Sequence, residues 1–400
     1  MLPDDVRRLE AARAQWPLAD GIDYLNHGSF GPAPLPVLEA QARWTAELQR
    51  NPMEFFVRRL DGLLDDAAER LARFVGCRGG DLAFVPNATV GMNIVADSLA
   101  LTAGDEVLLN DHEYGAVLRI WRRRCDETGA KVVAARFPRP LTSPEEIVDR
   151  LFADVTPRTR MIVVSHITSP TAVVLPVEAI CRRARDLGIP VSIDGPHAIA
   201  MRPVALRELG CDYYCASCHK WLSAPFGSGF LYVRGGAKAE LRPPILSWGR
   251  SLCGRPSTWK DEFHWFGTYQ PAAALAIPAA IEFLEAFGHG RFRELTHEMA
   301  RAARNRLISE LDAEPLTPDS PDWYGSMATL RLPWLVERSG HAGQPHPLQL
   351  SLATDSKIEI PIVEWGGDAH VRVSCHLYHT PDQIDRLIAA LCDWRARTGA

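Results

Sequence analysis

The chain has 400 residues, of which 46% are hydrophobic, and a net charge of −5. That balance excludes the basic footprint of a nucleic-acid binder and a polybasic membrane anchor, and the length calls for two domains or one large and one small. Nine cysteines, an odd number in so long a chain, are no disulfide framework and point to a reducing cytoplasm.

In chain order, the opening "MLPDDVRRLEAARAQW" is charged throughout and has no signal-peptide core; the first twenty residues read as a mobile arm or a short helix. No run of about 18 apolar residues follows anywhere, so no membrane span is expected. "YLNHGSFGPAP" is a loop rich in Gly and Pro. A helix is expected to start near Pro36, and a second to cover about Glu54 to Val75, where Phe56, Leu60, Leu63, Leu64, Ala67, Leu71 and Phe74 recur at three- and four-residue steps before Gly76. Alternation then sets in. The strand-like runs "LAFVP", "EVLLN", "KVVAARF" and "RMIVVSH" are each followed by a helical stretch, one of them opened by the Ser-x-x-Glu capping box of "SPEEIVDRLFADV". "VSID", "YYCAS" and "GFLYV" are three further strands. This order predicts an α/β fold with a mainly parallel sheet covered on both faces, binding its ligand at the carboxyl ends of the strands. After "HWFGTYQP" a long helical region from about Pro271 to Leu311, broken near Gly288-His289-Gly290, leads to the strand candidates "SMATLRLP", "KIEIPIVEW" and "AHVRVSCHLY" and a last helix from about Pro381 to Arg397. The expected division is an arm and substrate loop (1–35), a large domain (36–270) and a helical connection with a small α+β domain (271–400).

"CASCHKWL", Cys215 to Leu222, raises the question of which residue carries chemistry. Haem attachment belongs to exported chains; zinc needs a second ligand pair; a redox Cys-x-x-Cys needs an exposed first thiol, whereas "CDYYCAS" reads as a buried strand. No metal is expected. Lys220 is the less ordinary residue, because a lysine at the end of a buried strand is either a surface lysine at the exit or a desolvated amine with a lowered pKa that forms Schiff bases. Ser217 and His219 flank it with donors for an anion. Asp194, in "DGPHA", is either a turn aspartate or a carboxylate presented at a strand end. Asn87-Ala88-Thr89 at a helix start either caps that helix or receives a phosphate. Taken together, these are the parts pyridoxal 5'-phosphate needs: a lysine for its aldehyde, an acid for its ring nitrogen and donors for its phosphate.

The sequence resembles the fold-type I pyridoxal-phosphate enzymes of the class V aminotransferase family, and within it the branch of isopenicillin N epimerase and its relatives. The likeness covers nearly the whole chain and rests on "YLNHGSFGP", "FFVRR", "FVPNATVGMN", "DHEYGAV", "SHITSPTAVVLP", "DGPHA", "CDYYCASCHKWLSAPFGSGFLYV", "LTPDSP" and "VRVSCHLYHTPDQIDRL". It implies Lys220 as the Schiff-base lysine and proton carrier, Asp194 as partner of the pyridine nitrogen and His197 beside the phenolic oxygen. It implies Ala88, Thr89, Ser217 and His219 as phosphate ligands, Tyr114 stacked on the ring and Ser169 as a polar ligand to the cofactor. Thr268 is implied as a phosphate ligand given by the other subunit of a homodimer with shared active sites. Arg372 is implied for the substrate carboxylate, with Asn26 and His27 in a loop near the substrate. Cys218, Pro196 and Gln270 depart from the commoner Gly, Ala and acid at their positions. An epimerase would need acid/base groups on both faces of a planar Cα, Lys220 on one and Tyr114 or His27 on the other. The alternatives are a carbon–sulfur β-lyase and an aminotransferase. A persulfide-forming desulfurase is disfavoured, because "IVEWGGDAHVR" offers no cysteine before Arg372.

Overall fold

The computed structural model describes residues 3–336, 339 and 344–399; the outermost residues of the first and last expected segments, 1–2 and 400, lie outside them. The first element is a helix, Pro3–Arg13, and it is docked rather than mobile. Leu9 and Ala12 are buried, Trp16 just beyond packs edge-on against Phe283, and the Arg13 guanidinium donates to the carbonyls of Tyr378 and His379 at 3.0 and 2.8 Å. After β1 (Asp23–Tyr24) and the Gly/Pro-rich loop come the helices Leu35–Arg50 and Leu60–Val75. Helical turns already run from Pro52–Glu54 into the second of these, so the helix expected from about Glu54 is present with a π-turn inside it. Phe55–Arg59 is a π-turn, in which the Leu60 N–H donates to Phe55 O, and Gly76 ends the helix at φ 68.

The large sheet holds β2 (Leu82–Val85), β3 (Glu106–Asn110), β4 (Lys131–Ala135), β5 (Thr159–Ser165), β6 (Val191–Asp194), β7 (Tyr213–Ser217) and β8 (Gly229–Val233). Their spatial order is β2-β8-β7-β6-β5-β3-β4. All run parallel except β8, which is antiparallel to both β7 and β2. β6, β7 and β8 are buried at every residue, as strands covered by helices on both faces must be. Between the strands lie Ala88–Ser98, Gly115–Thr128, Pro144–Ala153 and Val177–Asp186. Ser143 caps the third of these by accepting from Glu146 N at 3.3 Å, but the Glu146 carboxylate turns to Thr142 instead of closing the box.

The helical connection is three pieces, Ala272–Leu275, Ile277–Phe287 and His289–Leu311, with a 78° bend at Gly288. Among the described residues no single helix is long and apolar enough to cross a membrane. A second, antiparallel sheet follows, made of β9 (Glu314–Pro315), β10 (Met327–Arg331), β12 (Ile362–Trp365) and β13 (Asp368–Ser374) in the order β12-β13-β10-β9. β11 (Ile358–Glu359) instead pairs with β1. An unforeseen helix, Pro347–Asp355, precedes it, and Pro381–Thr398 closes the chain. The bridge from Asn26 to Ser374 lays the Gly/Pro loop beside β13, so the N-terminal segment, the large sheet and the small sheet meet at one place.

Candidate active site

That meeting place is the carboxyl edge of the large sheet. Asp194 ends β6 and is in register with Ser165 of β5 and Cys215 of β7, and β7 runs two residues further to end on Ser217. Gly195 allows the chain to turn there, since a Cβ would lie 2.0 Å from the Tyr214 ring. Two residues on, His197 is buried with Nε2 2.9 Å from Lys220 Nζ and Nδ1 accepting from the Trp221 indole at 3.2 Å. Ser217 Oγ accepts from Ala88 N at 3.0 Å, and Asn87 Oδ1 accepts from Val90 N at 3.0 Å. Asn87 is therefore the helix cap, and that helix start opens on the strand ends.

These residues line one cavity of 340 Å³ with Gly28, Ser29, Phe30, Thr89, Tyr114, Ser169, Pro196 and His219. A 380 Å³ cavity lined by Arg70, Arg73, Arg202 and Arg293 lies elsewhere, and its lining holds no lysine and no strand-end acid. Burial sets the electrostatics. Desolvation, with the Arg372 charge adding to it, brings the Lys220 amine down to about 7, and Asp194 opposes this. Burial pushes Asp194 up to about 6, with Lys220 opposing. His219 is lowered to about 4 by burial, and its Nδ1 is enclosed without a hydrogen-bond partner. A strand-end acid, a depressed lysine, a helix start and an orphaned imidazole nitrogen around one hollow fit a phosphorylated aromatic aldehyde.

The opposite wall comes from the Gly/Pro loop. Gly31 lies against the turn that carries the lysine, and a Cβ there would stand 2.5 Å from His219 O and 2.7 Å from Lys220 O. His27, expected near substrate, is fully buried beneath that turn, with Nε2 at 3.0 Å from Lys220 O and Nδ1 at 2.9 Å from the Tyr378 hydroxyl. Both its nitrogens are engaged and it does not line the cavity. Neither does Asn26, whose segment bridges to Ser374. Arg372, on β13, stands behind the wall, where its guanidinium donates to the Ser169 carbonyl, to Ser169 Oγ at 3.3 Å and to Ser29 Oγ at 2.7 Å, with Nε enclosed and unpartnered. Thr268 is exposed and outside the cavity of its own chain. Tyr114, 46% exposed, does face the cavity.

Two buried neighbours of the cavity went unread in the sequence. Glu113, next to Tyr114, is buried, accepts from Ser165 N and Oγ at 2.7 Å each and from Asn110 Nδ2 at 2.6 Å, and is pushed up to about 7 by burial. Trp221 is the other. Its place immediately after the lysine was the only signal. The thiols of Cys215 and Cys218 are fully buried, and burial raises both.

Residues 32–387 match the model of the family described as aminotransferase class-V. The chain is 38% identical over 393 residues to an isopenicillin N epimerase of Amycolatopsis lactamdurans, covering 95% of this chain and 97% of the relative. It is 34% identical to one of Streptomyces clavuligerus, covering 96% and 97%. A probable chloroplastic L-cysteine desulfhydrase of Arabidopsis thaliana is 28% identical, covering 92% of this chain and 82% of the relative. Among solved structures, the cystine C–S lyase C-DES in complex with cysteine persulfide superposes with a TM-score of 0.79 at 22% identity, covering 95% of this chain and 99% of that one; this likeness shows the fold.

Proposed function

The chain belongs to the aminotransferase class-V family, and we propose that it is a pyridoxal-phosphate enzyme acting at Cα of an amino acid, with epimerisation as its reaction. The observation that carries this reading is the enclosure of Lys220 Nζ, the Asp194 carboxyl and His197 in one cavity, in a chain 38% identical to an isopenicillin N epimerase. Bound pyridoxal phosphate supplies an electron sink that makes a Cα proton acidic. The Lys220 amine would hold the cofactor aldehyde, and its Nζ would take or return the Cα proton. Asp194, buried beside it, is the anion that keeps a ring nitrogen cationic. Thr89, Ser217 and His219 give hydrogen-bond donors to a phosphate at the start of the helix Ala88–Ser98.

Arg372 holds the substrate carboxylate together with Ser29 and Ser169, the serines its guanidinium already touches. Tyr114 is the acid/base for the second face, since it faces the cavity and His27 does not. Thr268 serves a second copy of the chain. This is supported by its exposure and by the exposed aromatics Phe30 and Phe226 near the cavity mouth, surface that a dimer would cover. The working compartment is the cytoplasm, which suits nine free cysteines.

A carbon–sulfur β-lyase uses the same Lys220 core, and the desulfhydrase relative favours it as the second reading. A persulfide carried on the enzyme does not fit, because Cys375, three residues after Arg372, is buried. The test is to incubate the yellow holoenzyme with a panel of amino acids in deuterium oxide. Cα exchange with inversion is expected. Pyruvate release would replace epimerisation with the lyase reading, and stoichiometric pyridoxamine phosphate with the aminotransferase one.

A further inference from the structure

His197 has two ring nitrogens, and each faces one partner. Nδ1 meets the indole N–H of Trp221 at 3.2 Å, and Nε2 meets Lys220 Nζ at 2.9 Å. An indole nitrogen only donates, so Nδ1 must accept. A neutral imidazole that accepts at Nδ1 carries its proton on Nε2. That proton points at Lys220 Nζ. An ammonium has three donors and no acceptor, so only the free amine, with its lone pair, completes this bond.

We propose that Trp221 is a positioning residue: its indole N–H locks His197 in the Nε2–H tautomer, and His197 thereby holds Lys220 as a free amine poised to condense with an aldehyde. This rests on the reading of Lys220 given above and deepens it. In the condensation the amine lone pair forms the bond to the aldehyde carbon, the two amine hydrogens leave with the carbonyl oxygen as water, and nothing is oxidised or reduced.

The surroundings agree with the lock. Trp221 is fully buried and lies 5.2 Å from the His27 ring, and His27 in turn holds the Lys220 carbonyl, so one packed layer fixes both the main chain and the side chain of the lysine. The charged or titratable groups facing the pair are Asp194, Arg372, His219 and His27. Burial and Arg372 work against an ammonium, and only Asp194 favours one; the amine comes out at about 7, and burial holds His197 well below its ordinary value. The tautomer and the free amine are thus mutually consistent.

The direct test is nitrogen-15 NMR of the cofactor-free protein labelled at histidine, with the His197 resonances identified by their loss in His197→Gln. An Nε2-protonated tautomer from pH 6 to 8 is expected; an Nδ1-protonated or doubly protonated ring overturns the proposal. The second test is Trp221→Phe, which removes the donor and keeps a ring. Losing one hydrogen bond worth about 1.4 kcal/mol moves the midpoint of the pH profile for capture of pyridoxal phosphate up by about one pH unit, a fall of about 5-fold in rate at pH 7. A profile superimposable on the parent's overturns the lock, whereas a role in packing alone would change rate or stability without moving the midpoint. If Trp221→Phe fails to fold, the NMR of the unsubstituted protein decides. A parent that captures no pyridoxal phosphate at any pH sinks the reading of Lys220, while the tautomer measurement still judges the lock.

Discussion

On one wall of the cavity, Asp194, Ser217 and Lys220 stand at or just past the ends of adjacent parallel strands; on the other, Ser29 and Phe30 come from a loop and Arg372 reaches toward them from a separate antiparallel sheet. The first wall is pinned by ladder hydrogen bonds, and its groups are perturbed by burial, with Lys220 brought down to about 7 and Asp194 up to about 6. On the second wall the Arg372 backbone is equally pinned, in the ladder of β13 with β10, and burial lowers its guanidinium to about 10, but that guanidinium rests on the Ser169 carbonyl and on Ser169 and Ser29 Oγ, and Ser29 and Phe30 stand in a loop outside any strand. On the proposed function, the difference separates two tasks. Rigid strand ends suit bond-making groups, which tolerate little misplacement, while a loop and an arginine that can exchange serine partners for a carboxylate suit substrate selection.

Substitutions on the two walls break or sharpen this comparison. Lys220→Ala, on the rigid wall, carries the largest effect: turnover falls by at least about 10³-fold and the absorbance that borohydride bleaches in the holoenzyme disappears. A variant that kept that absorbance would place the covalent link elsewhere. Asp194→Asn keeps the shape and removes the charge, and kcat falls about 10²–10³-fold with cofactor still retained, measured by turnover against bound-cofactor absorbance. Arg372→Lys, on the second wall, raises KM about 10–100-fold with a smaller change in kcat, because a bidentate fork becomes a point charge. Equal losses in kcat from Arg372→Lys and Asp194→Asn would erase the division of labour.

The smallest effect is on stability, at Glu113. Its carboxyl stands at about 7, above its ordinary value of 4.5. The folded chain therefore binds more protons than the unfolded chain between about 4.5 and 7, and this group's contribution is full below that window and lost as pH rises through it. Glu113→Gln removes the dependence, so Tm of the cofactor-free variant stays flatter than the parent's between pH 5 and 8; parallel profiles would mean that Glu113 is already ionised in the folded chain.

Much of the first wall was legible in the sequence. Apolar runs of four to seven residues alternating with stretches of 3.6-residue period mark a covered parallel sheet, and Ser-x-His-Lys after such a run marks its business end. The Gly115–Thr128 helix and the break at Gly288 fall where the periodicity and the Gly signal put them. Less was legible beyond it. "GFLYV" is apolar on both faces, so nothing local tells its direction, and the reversal of β8 comes from pairing between β7 and β2. The N-terminal helix gained its place from contacts with residues more than 360 positions away.

What the sequence determined by itself is which residues end each strand and which chemical types stand there, because side-chain period and turn residues are local properties. The tertiary structure alone decided that His27 lies under the lysine rather than before it, that Glu113 is desolvated, that Arg372 approaches through Ser29 and Ser169, and that the Trp221 indole meets His197. Burial and hydrogen-bond direction depend on neighbours brought together from distant parts of the chain, and no local pattern records them.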